Sequence, residues 1–341
     1  MAVTLKEVAE LAGVSRSAVS RTYTQGASVS DATRAKVVAA AAQLGYSPNV
    51  LASSLTTGRT KLIGLVSDNF RNPIFLRVFD MFTRGLQDRG LRPLLVNLSE
   101  ETQPERSVML LQQYSVDAVI VASSTLPASF AHAFQDAGIP VVHSFGRHVD
   151  APRVHIVGID NIAAGRLAAR TLLEHGYKQI AMMAGPQSAT STQDRVAGFL
   201  EVMNRVPERL AGVSYAEAYS FDAGRREMAR LLARDNGSPR AGAYFCGDDV
   251  LSIGALSAAQ SAGVRVPDDL GLLGLNDMEM AAWENIDLTT IKNPVDDIVA
   301  RSIDLVVDML GDKARPPAAH LFACALVERN TLRRPVTHSR A

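Results

Sequence analysis

The apolar positions of this chain keep two different rhythms. Up to Gly45 they recur at helical spacing in short blocks, and from Lys61 onward unbroken apolar runs alternate with amphipathic stretches. The first block is Thr4–Tyr23, TLKEVAELAGVSRSAVSRTY. Leu5, Val8, Ala9 and Ala12 follow the i, i+3, i+4, i+7 spacing of one buried helix face. Thr4 is placed to cap that helix, with Glu7 reaching back to its amide in a capping box. Gly13 supplies a turn, and Ser15 caps a second helix whose Ala18 and Val19 face the first. Arg16, Ser17, Ser20 and Arg21 lie on its other face. Two short helices joined this tightly match a helix-turn-helix, in which the second helix enters the major groove of DNA. The alternative is a helical hairpin that only packs. A third helix follows Ser30, with Val37, Val38, Ala41 and Leu44 as its apolar stripe and Gly45 as its stop. So few large side chains make a core that is marginally stable by itself.

In the longer part, LIGLV, PLLVNL, DAVIVAS, IPVVHSF, QIAMMAG, GAYFCG and LGLLGL read as buried strands. Segments such as IFLRVFDMFTRGLQDRG and GRLAARTLLEHG read as helices between them. This alternation predicts an α/β architecture of parallel sheets covered on both faces. Two such sets, before and after Asp160–Asn161, predict two similar lobes. Between headpiece and body, Ser47, Pro48 and Asn49 reset the chain and VLASSL follows. A stretch this short rarely holds a helix alone, because nucleation is unfavourable.

Composition adds one thing to this picture. The 341 residues are 47% hydrophobic and 21% charged, an ordinary globular balance, with 35 basic and 35 acidic residues. Residues 1–60 hold six Lys/Arg (Lys6, Arg16, Arg21, Arg34, Lys36, Arg59) against three acids, leaving 29 basic and 32 acidic residues in the remainder. A basic headpiece on a mildly acidic body suits phosphate contact at one end. Cys246 and Cys324 sit in apolar settings and read as small core residues rather than redox or metal groups. No secretory signal and no run of membrane-spanning length is evident, so the chain is expected in the cytoplasm, with no membrane partner. The sequence lacks a dinucleotide fingerprint, a P-loop, a nucleophile elbow and an H-x-x-x-H pair, and its seven His are scattered. No cofactor, no metal and no catalytic set is expected. The pair Asp248–Asp249 lies on one loop, where neighbours seldom point together.

The ordered blocks identify a family. TLKEVAELAGVSRSAVSR, VSDATRAKV, LGYSPNVLASSLTTGRT, GIDNIAAGRLAARTLLEHGYKQIAMMAGP, QDRVAGF, GLLGLNDMEMAAW and LTTIKNPVDDI resemble the LacI–GalR family of bacterial transcription regulators over nearly the whole chain. The resemblance implies a helix-turn-helix headpiece over residues 1–48 and a hinge helix and linker over 49–60. Residues 61–341 would form a two-lobed body like that of periplasmic sugar-binding proteins, which binds effector and dimerises. Lys61 to about Asp160 would begin the first lobe and Ile162 to about Leu288 the second. The tail from Thr290 would return to the first before ending on the second.

It also implies roles. Arg16, Ser17 and Arg21 match positions that read base edges, where Arg can bond guanine bidentately; Arg21 serves equally well as a phosphate clamp. Thr4, Ser15, Ser20, Gln25, Ser28 and Thr33 match phosphate contacts, although simple capping explains several of them as well. Asn49 joins this DNA-facing set. Leu55 occupies the place of the hinge leucine that wedges into the minor groove and kinks the duplex; otherwise it packs on the body. In the cleft between lobes, Arg195 matches the effector-binding arginine, whose fork suits sugar hydroxyls or a carboxylate. Asp248 and Asn276 match polar ligand contacts at strand ends, and Asn276 stands where the family often has Asp. Phe75 and Tyr219 match aromatic positions that stack on ligand rings, with apolar packing as the alternative. Asp249 and Asp277 read as structural partners. Ser144 and Phe145 fall near a ligand-contact position, with the spacing before Arg147 one residue longer than usual in the family. Trp283 is either a cleft-rim or a packed residue.

Three functions are then in play: a ligand-gated DNA-binding repressor, a sugar-transport binding protein, and an α/β enzyme. The headpiece favours the first, with operator DNA, a second copy of the chain and a small effector, a sugar or sugar derivative, as partners.

Overall fold

The computed structural model describes residues 3–24, 27–47, 58–98, 104–235, 239–311 and 316–335. The chain divides into two compact units, Met1–Thr60 and Lys61–Ala341. Gln25 and the stretch read as a hinge, with Asn49 and Leu55, lie outside the described residues.

The first unit contains α1 (Leu5–Ala12), α2 (Arg16–Thr22) and α3 (Asp31–Leu44). The Thr4 hydroxyl accepts from the Glu7 amide while the Glu7 carboxylate accepts from the Thr4 amide at 2.7 Å, so the first turn of α1 is closed from both sides. Gly13 at φ +63° ends α1 in the left-handed region, where a side chain is disfavoured. Ser15 and Ser30 cap α2 and α3. Val8, Ala9, Val19, Val37, Ala40 and Ala41 form the core. Val38, expected in that core, is 51% exposed; Val37, Ala40, Ala41 and Leu44 form the i, i+3, i+4, i+7 face, and Val38 lies about 100° around the helix from Val37.

The second unit is built on two six-stranded sheets. The first has the order β11-β5-β4-β3-β1-β2 and the second β12-β10-β9-β8-β6-β7. Their strands are β1 (Leu62–Ser67), β2 (Arg92–Asn97), β3 (Ala118–Ala122), β4 (Val141–Ser144), β5 (His155–Ile159) and β11 (Ala319–Phe322) in one. The other holds β6 (Ile180–Ala184), β7 (Leu210–Tyr215), β8 (Ala243–Cys246), β9 (Gly271–Asn276), β10 (Thr290–Lys292) and β12 (Ala325–Val327). All pairings are parallel except β10 with β12. The first sheet is covered by α4 (Ile74–Asp88) and α11 (Val295–Leu310) on one face and by α5 (Pro104–Gln113) and α6 (Ala128–Asp136) on the other. The second lies between α7 (Asn161–Glu174) with α8 (Thr190–Met203) and α9 (Phe221–Arg234) with α10 (Asp249–Ser261). Sheets buried on both faces explain why their central strands are unbroken apolar runs.

Each sheet reverses its winding once, beside β1 in the first lobe and β6 in the second, so the lobes repeat one topology. The chain crosses between them after β5, after β10 and between β11 and β12. The second crossing falls later than the sequence reading placed it. Thr290–Lys292 still pairs with β9, and the return to the first lobe begins at Asn293.

Candidate functional site

In the headpiece, α2 buries Val19 and Thr22 and exposes Arg16, Ser17, Ser20 and Arg21. The Arg34 guanidinium donates to the Thr22 carbonyl at 2.8 Å, tying the end of α2 to α3. Arg21 Nε donates to the Ser17 carbonyl one turn back, and the Ser15 and Ser17 hydroxyls are 2.9 Å apart. Arg16 has no hydrogen-bond or ion-pair partner among the described residues and stands at the first turn of the exposed face. Thr4 and Ser15 are engaged in caps, Thr33 is half-buried against Ser30, and Ser28 is exposed. Capping does not exclude backbone contact to DNA, but it fixes where those hydroxyls point.

In the body, the carboxyl ends of both sheets face one another, and the residues just beyond those ends meet. Asn72 and Phe75 follow β1, Ser124 follows β3, and Phe145 follows β4. From the other lobe come Tyr219 after β7, Asp248 after β8 and Asn276 at the end of β9. Together with Arg195 on α8 and Asn293 after β10 they line one hollow of about 20 Å³. All five residues expected to meet an effector (Phe75, Arg195, Tyr219, Asp248 and Asn276) stand on it. A space of this size holds about one water, so the lobes are closed on each other.

Polar groups of the two lobes satisfy one another in this closed form. Asp248 caps α10 by accepting from the Val250 amide at 2.9 Å. Its other oxygen accepts from Asn72 Nδ2 and Asn276 Nδ2, both at 2.8 Å, and the Asn72 bond crosses the cleft. Burial pushes the Asp248 carboxyl up to about 6, against the opposing pull of these donors and of the Arg195 charge. Arg195 is buried at 4% exposure, with Nε donating to Asn161 Oδ1 at 2.8 Å and Nη1 to the Gly247 carbonyl at 2.6 Å. Among the described residues, no carboxylate holds that guanidinium directly. Tyr219 bonds Thr192 at 2.7 Å through its hydroxyl. Phe75 packs edge-on against Phe145 with ring centroids 6.0 Å apart.

The backbone is unusual at this point. Phe145 has φ +63°, Asn276 φ +124° and the next residue, Asp277, φ +55°. Bulky or branched-amide residues in that region carry local strain, which gathers at binding sites. Asn293 Oδ1 is buried with no hydrogen-bond partner. The α8 helix has no side-chain cap at Ala189, and its first amides, Thr190 and Ser191, donate instead to the carbonyls of Thr125 and Ser124 in the other lobe. Arg147 and Asp194 make a further ion pair between the lobes.

Several residues near the site are structural. Asp249 is fully buried, accepting from the Thr290 hydroxyl and the Met278 amide, and burial pushes its carboxyl up to about 7. Asp277 pairs with Arg329 at 2.7 Å. Ser144 is buried against Ser302 at 2.6 Å and does not line the hollow, whereas Phe145 does. Trp283 is 48% exposed and away from it. The hollow shares Asn69 and Tyr219 with a wider chamber of about 590 Å³ between the lobes, walled in part by Asp68, Phe130, Ser188 and Glu217. The sequence reading missed Asn72, Asn161 and Asn293. Two of them carry a signal: Asn72-Pro73 and Asn293-Pro294 are Asn-Pro turns directly before helices.

A helix-turn-helix unit joined to a two-lobed α/β body with its polar residues gathered in the cleft defines a ligand-binding DNA regulator. The comparisons agree with that class. Residues 4–49 match the model of bacterial regulatory proteins of the lacI family, and residues 169–332 match a periplasmic binding protein-like domain. The HTH-type transcriptional regulator CelR of Thermobifida fusca is 31% identical, over 96% of this chain and 98% of its own. The HTH-type transcriptional repressor PurR of Escherichia coli is 30% identical, over 96% of both chains. The crystal structure of the Lac repressor dimer bound to operator and the anti-inducer ONPF superposes with TM-score 0.85 at 27% identity, covering 97% of this chain and 99% of that one. A CelR–cellobiose complex gives 0.70 at 29% identity, covering 96% and 99%. The chain belongs to the LacI family of bacterial transcriptional regulators. Among the described residues, no helix is long and apolar enough to cross a membrane, and no cluster of His, Cys, Asp and Glu suits a metal ion.

Proposed function

We propose that this protein is a repressor that binds a palindromic operator as a homodimer and is switched by a small polar molecule held between its lobes. It acts by binding and not by catalysis, in the cytoplasm. The observation that carries the reading is the convergence of Arg195, Asp248, Asn276, Phe75 and Tyr219 from two lobes and five chain segments onto one hollow. A neutral ligand rich in hydroxyls suits that wall, which offers one guanidinium, one carboxylate and several amides at close quarters. The relatives support the same choice, since one was solved with cellobiose and another bound to operator as a dimer. We assign residues 1–48 to the headpiece, 49–60 to a hinge helix and linker, and 61–341 to the effector-binding, dimerising body. Arg16, Ser17 and Arg21 would read bases; Thr4, Ser15, Ser20, Gln25, Ser28, Thr33 and Asn49 would contact the backbone; Leu55 would wedge the minor groove.

Because the hollow is closed at about 20 Å³, a sugar reaches Arg195, Asp248 and Asn276 together only if the lobes part. Effector binding and lobe arrangement are then linked, and the coupling is reciprocal with DNA affinity. The test begins with DNA selected from a random pool by the full-length protein, which should return palindromes. Arg16→Ala should relax preference at particular positions, at a cost of about 1–3 kcal/mol. A uniform loss across all sequences would reassign Arg16 to phosphate contact. A thermal-shift screen of mono- and disaccharides then supplies the ligand, and Arg195→Ala should abolish both its binding and its effect on the gel shift. If Arg195→Ala keeps both, the guanidinium only braces Asn161 and Gly247.

A further inference from the structure

The second lobe carries another hollow, of about 500 Å³, that shares no wall residue with the cleft. It lies between the edge strand β7 and helix α9. A register shift between Ile180 and Ala181 leaves one extra residue, Ala211, in β7, and the following Gly212 sits at φ +138°. Such bulges bend an edge strand and often border sites. With Ala181, Ala211 and Gly212 as the floor, no large side chain fills the space that the bend opens.

Two hydroxyls in the wall lack partners. Ser214 Oγ is buried without a hydrogen bond, and Tyr244, only 4% exposed, has no hydrogen-bond partner among the described residues. Native interiors seldom leave a buried group such as Ser214 Oγ unmatched, so it calls for a water or a ligand; the Tyr244 hydroxyl is open to the hollow. Around the rim stand Arg230, Arg234 and Arg240. Glu227 pairs with Arg230 at 2.7 Å, and Asp235 lies 3.6 Å from Arg234. Arg240 has no ion-pair partner among the described residues, so the rim keeps a positive excess. Burial and the nearby Asp235 push the Tyr244 hydroxyl up to about 12, which keeps it a donor at neutral pH.

We propose that this hollow is a second small-molecule site, which takes a phosphate monoester. Ser214 and Tyr244 would donate from the floor and the arginines from the rim. Guanidinium groups and hydroxyl donors together serve three terminal oxygens better than the two of a carboxylate. The volume falls within the range of small-molecule pockets and far exceeds a bare ion, so the ester carries an organic part.

The test is equilibrium dialysis and calorimetry on the full-length protein with ribose 5-phosphate, inorganic phosphate, ribose and acetate. Ribose 5-phosphate should bind, ribose and acetate should not, and inorganic phosphate should compete. The double variant Arg234→Ala/Arg240→Ala, whose side chains are at the surface, should weaken binding at least tenfold. Tyr244→Phe should weaken it several-fold. Arg195→Ala, in the cleft, should leave the ester's affinity unchanged. Three results each overturn the proposal: no binding at millimolar ester, binding that the rim variants leave intact, or binding that vanishes with Arg195→Ala. Acetate binding as tightly as phosphate would overturn the ligand class.

Discussion

Asp248 and Asp249 are adjacent, both buried, and bound by different kinds of donor. Three N–H groups (those of Val250, Asn72 and Asn276) point at the Asp248 carboxylate. An amide there would turn its own N–H against at least one of them. Asp248→Asn should therefore lower stability by about 1–3 kcal/mol, the cost of unmatched buried donors, and impair effector binding. Asp249 faces one N–H and one hydroxyl, and a hydroxyl can reverse its role. Asp249→Asn should fold well. The two also differ in pH behaviour. Burial raises the Asp249 carboxyl from 3.8 to about 7, so the folded protein holds a proton that the unfolded chain has released. A raised carboxyl contributes stability below the unfolded value and loses it as pH climbs to the folded value. Urea midpoints should fall for the wild type between about pH 5 and about pH 7.5, and Asp249→Asn should flatten that fall by something on the order of 1–3 kcal/mol. An unchanged slope would place the titration elsewhere, Asp248 being the other group pushed into this range.

At the scale of elements, α7 and α8 touch backbone to backbone. A Cβ on Gly165 would press into the Arg195 carbonyl, and one on Gly198 into the Ile162 carbonyl. These glycines are tied to function through geometry, since the atom that Gly165 admits belongs to the cleft arginine. Gly165→Ala should force the helices apart, costing about 1–3 kcal/mol as overpacking does, and should weaken effector binding along with it. Calorimetric titration of the folded variant would show the coupling, and full effector affinity would mean that Arg195 holds its place without α7. The elements themselves were unevenly legible. All seven apolar runs read as strands are strands; six lie buried within their sheets, where no polar alternation confuses them, and the seventh, the edge strand β2, keeps an apolar run although it is half-exposed. Strand β7 was hidden by its half-exposed, bulged edge position, β5 by opening on His155, and β10 and β12 by having three residues each. The site followed the same logic. Arg195, Asp248 and Asn276 sit in extended motifs, whereas Asn72, Asn161 and Asn293 are single amides whose role depends on which strand ends meet.

For the whole molecule, the closed cleft is a set of exchanges between lobes: Asn72 to Asp248, the α8 amides to Thr125 and Ser124, and Arg147 to Asp194. Removing one net hydrogen bond is worth about 0.5–1.5 kcal/mol. Asn72→Ala should thus shift the lobes toward an open arrangement, visible as a larger radius of gyration in solution scattering. If the effector is held by closed lobes, its affinity should drop by roughly threefold to tenfold. Identical scattering and affinity would show that the α8 amides suffice to keep the lobes together.

The crossings between lobes bear on how the chain is made. Strand β5 is finished at Ile159, yet its outer neighbour β11 begins only at Ala319, and α11, which packs against the same sheet, starts at Val295. As the chain leaves the ribosome, the first lobe must wait through the entire second lobe with an unpaired edge and with one face covered by α4 alone. Exposed edges of this kind recruit other strands. The burden of keeping the nascent protein soluble therefore falls on the interval between those two strands, and the segments that close the first lobe are made late, with only β12 and the chain beyond it still to come.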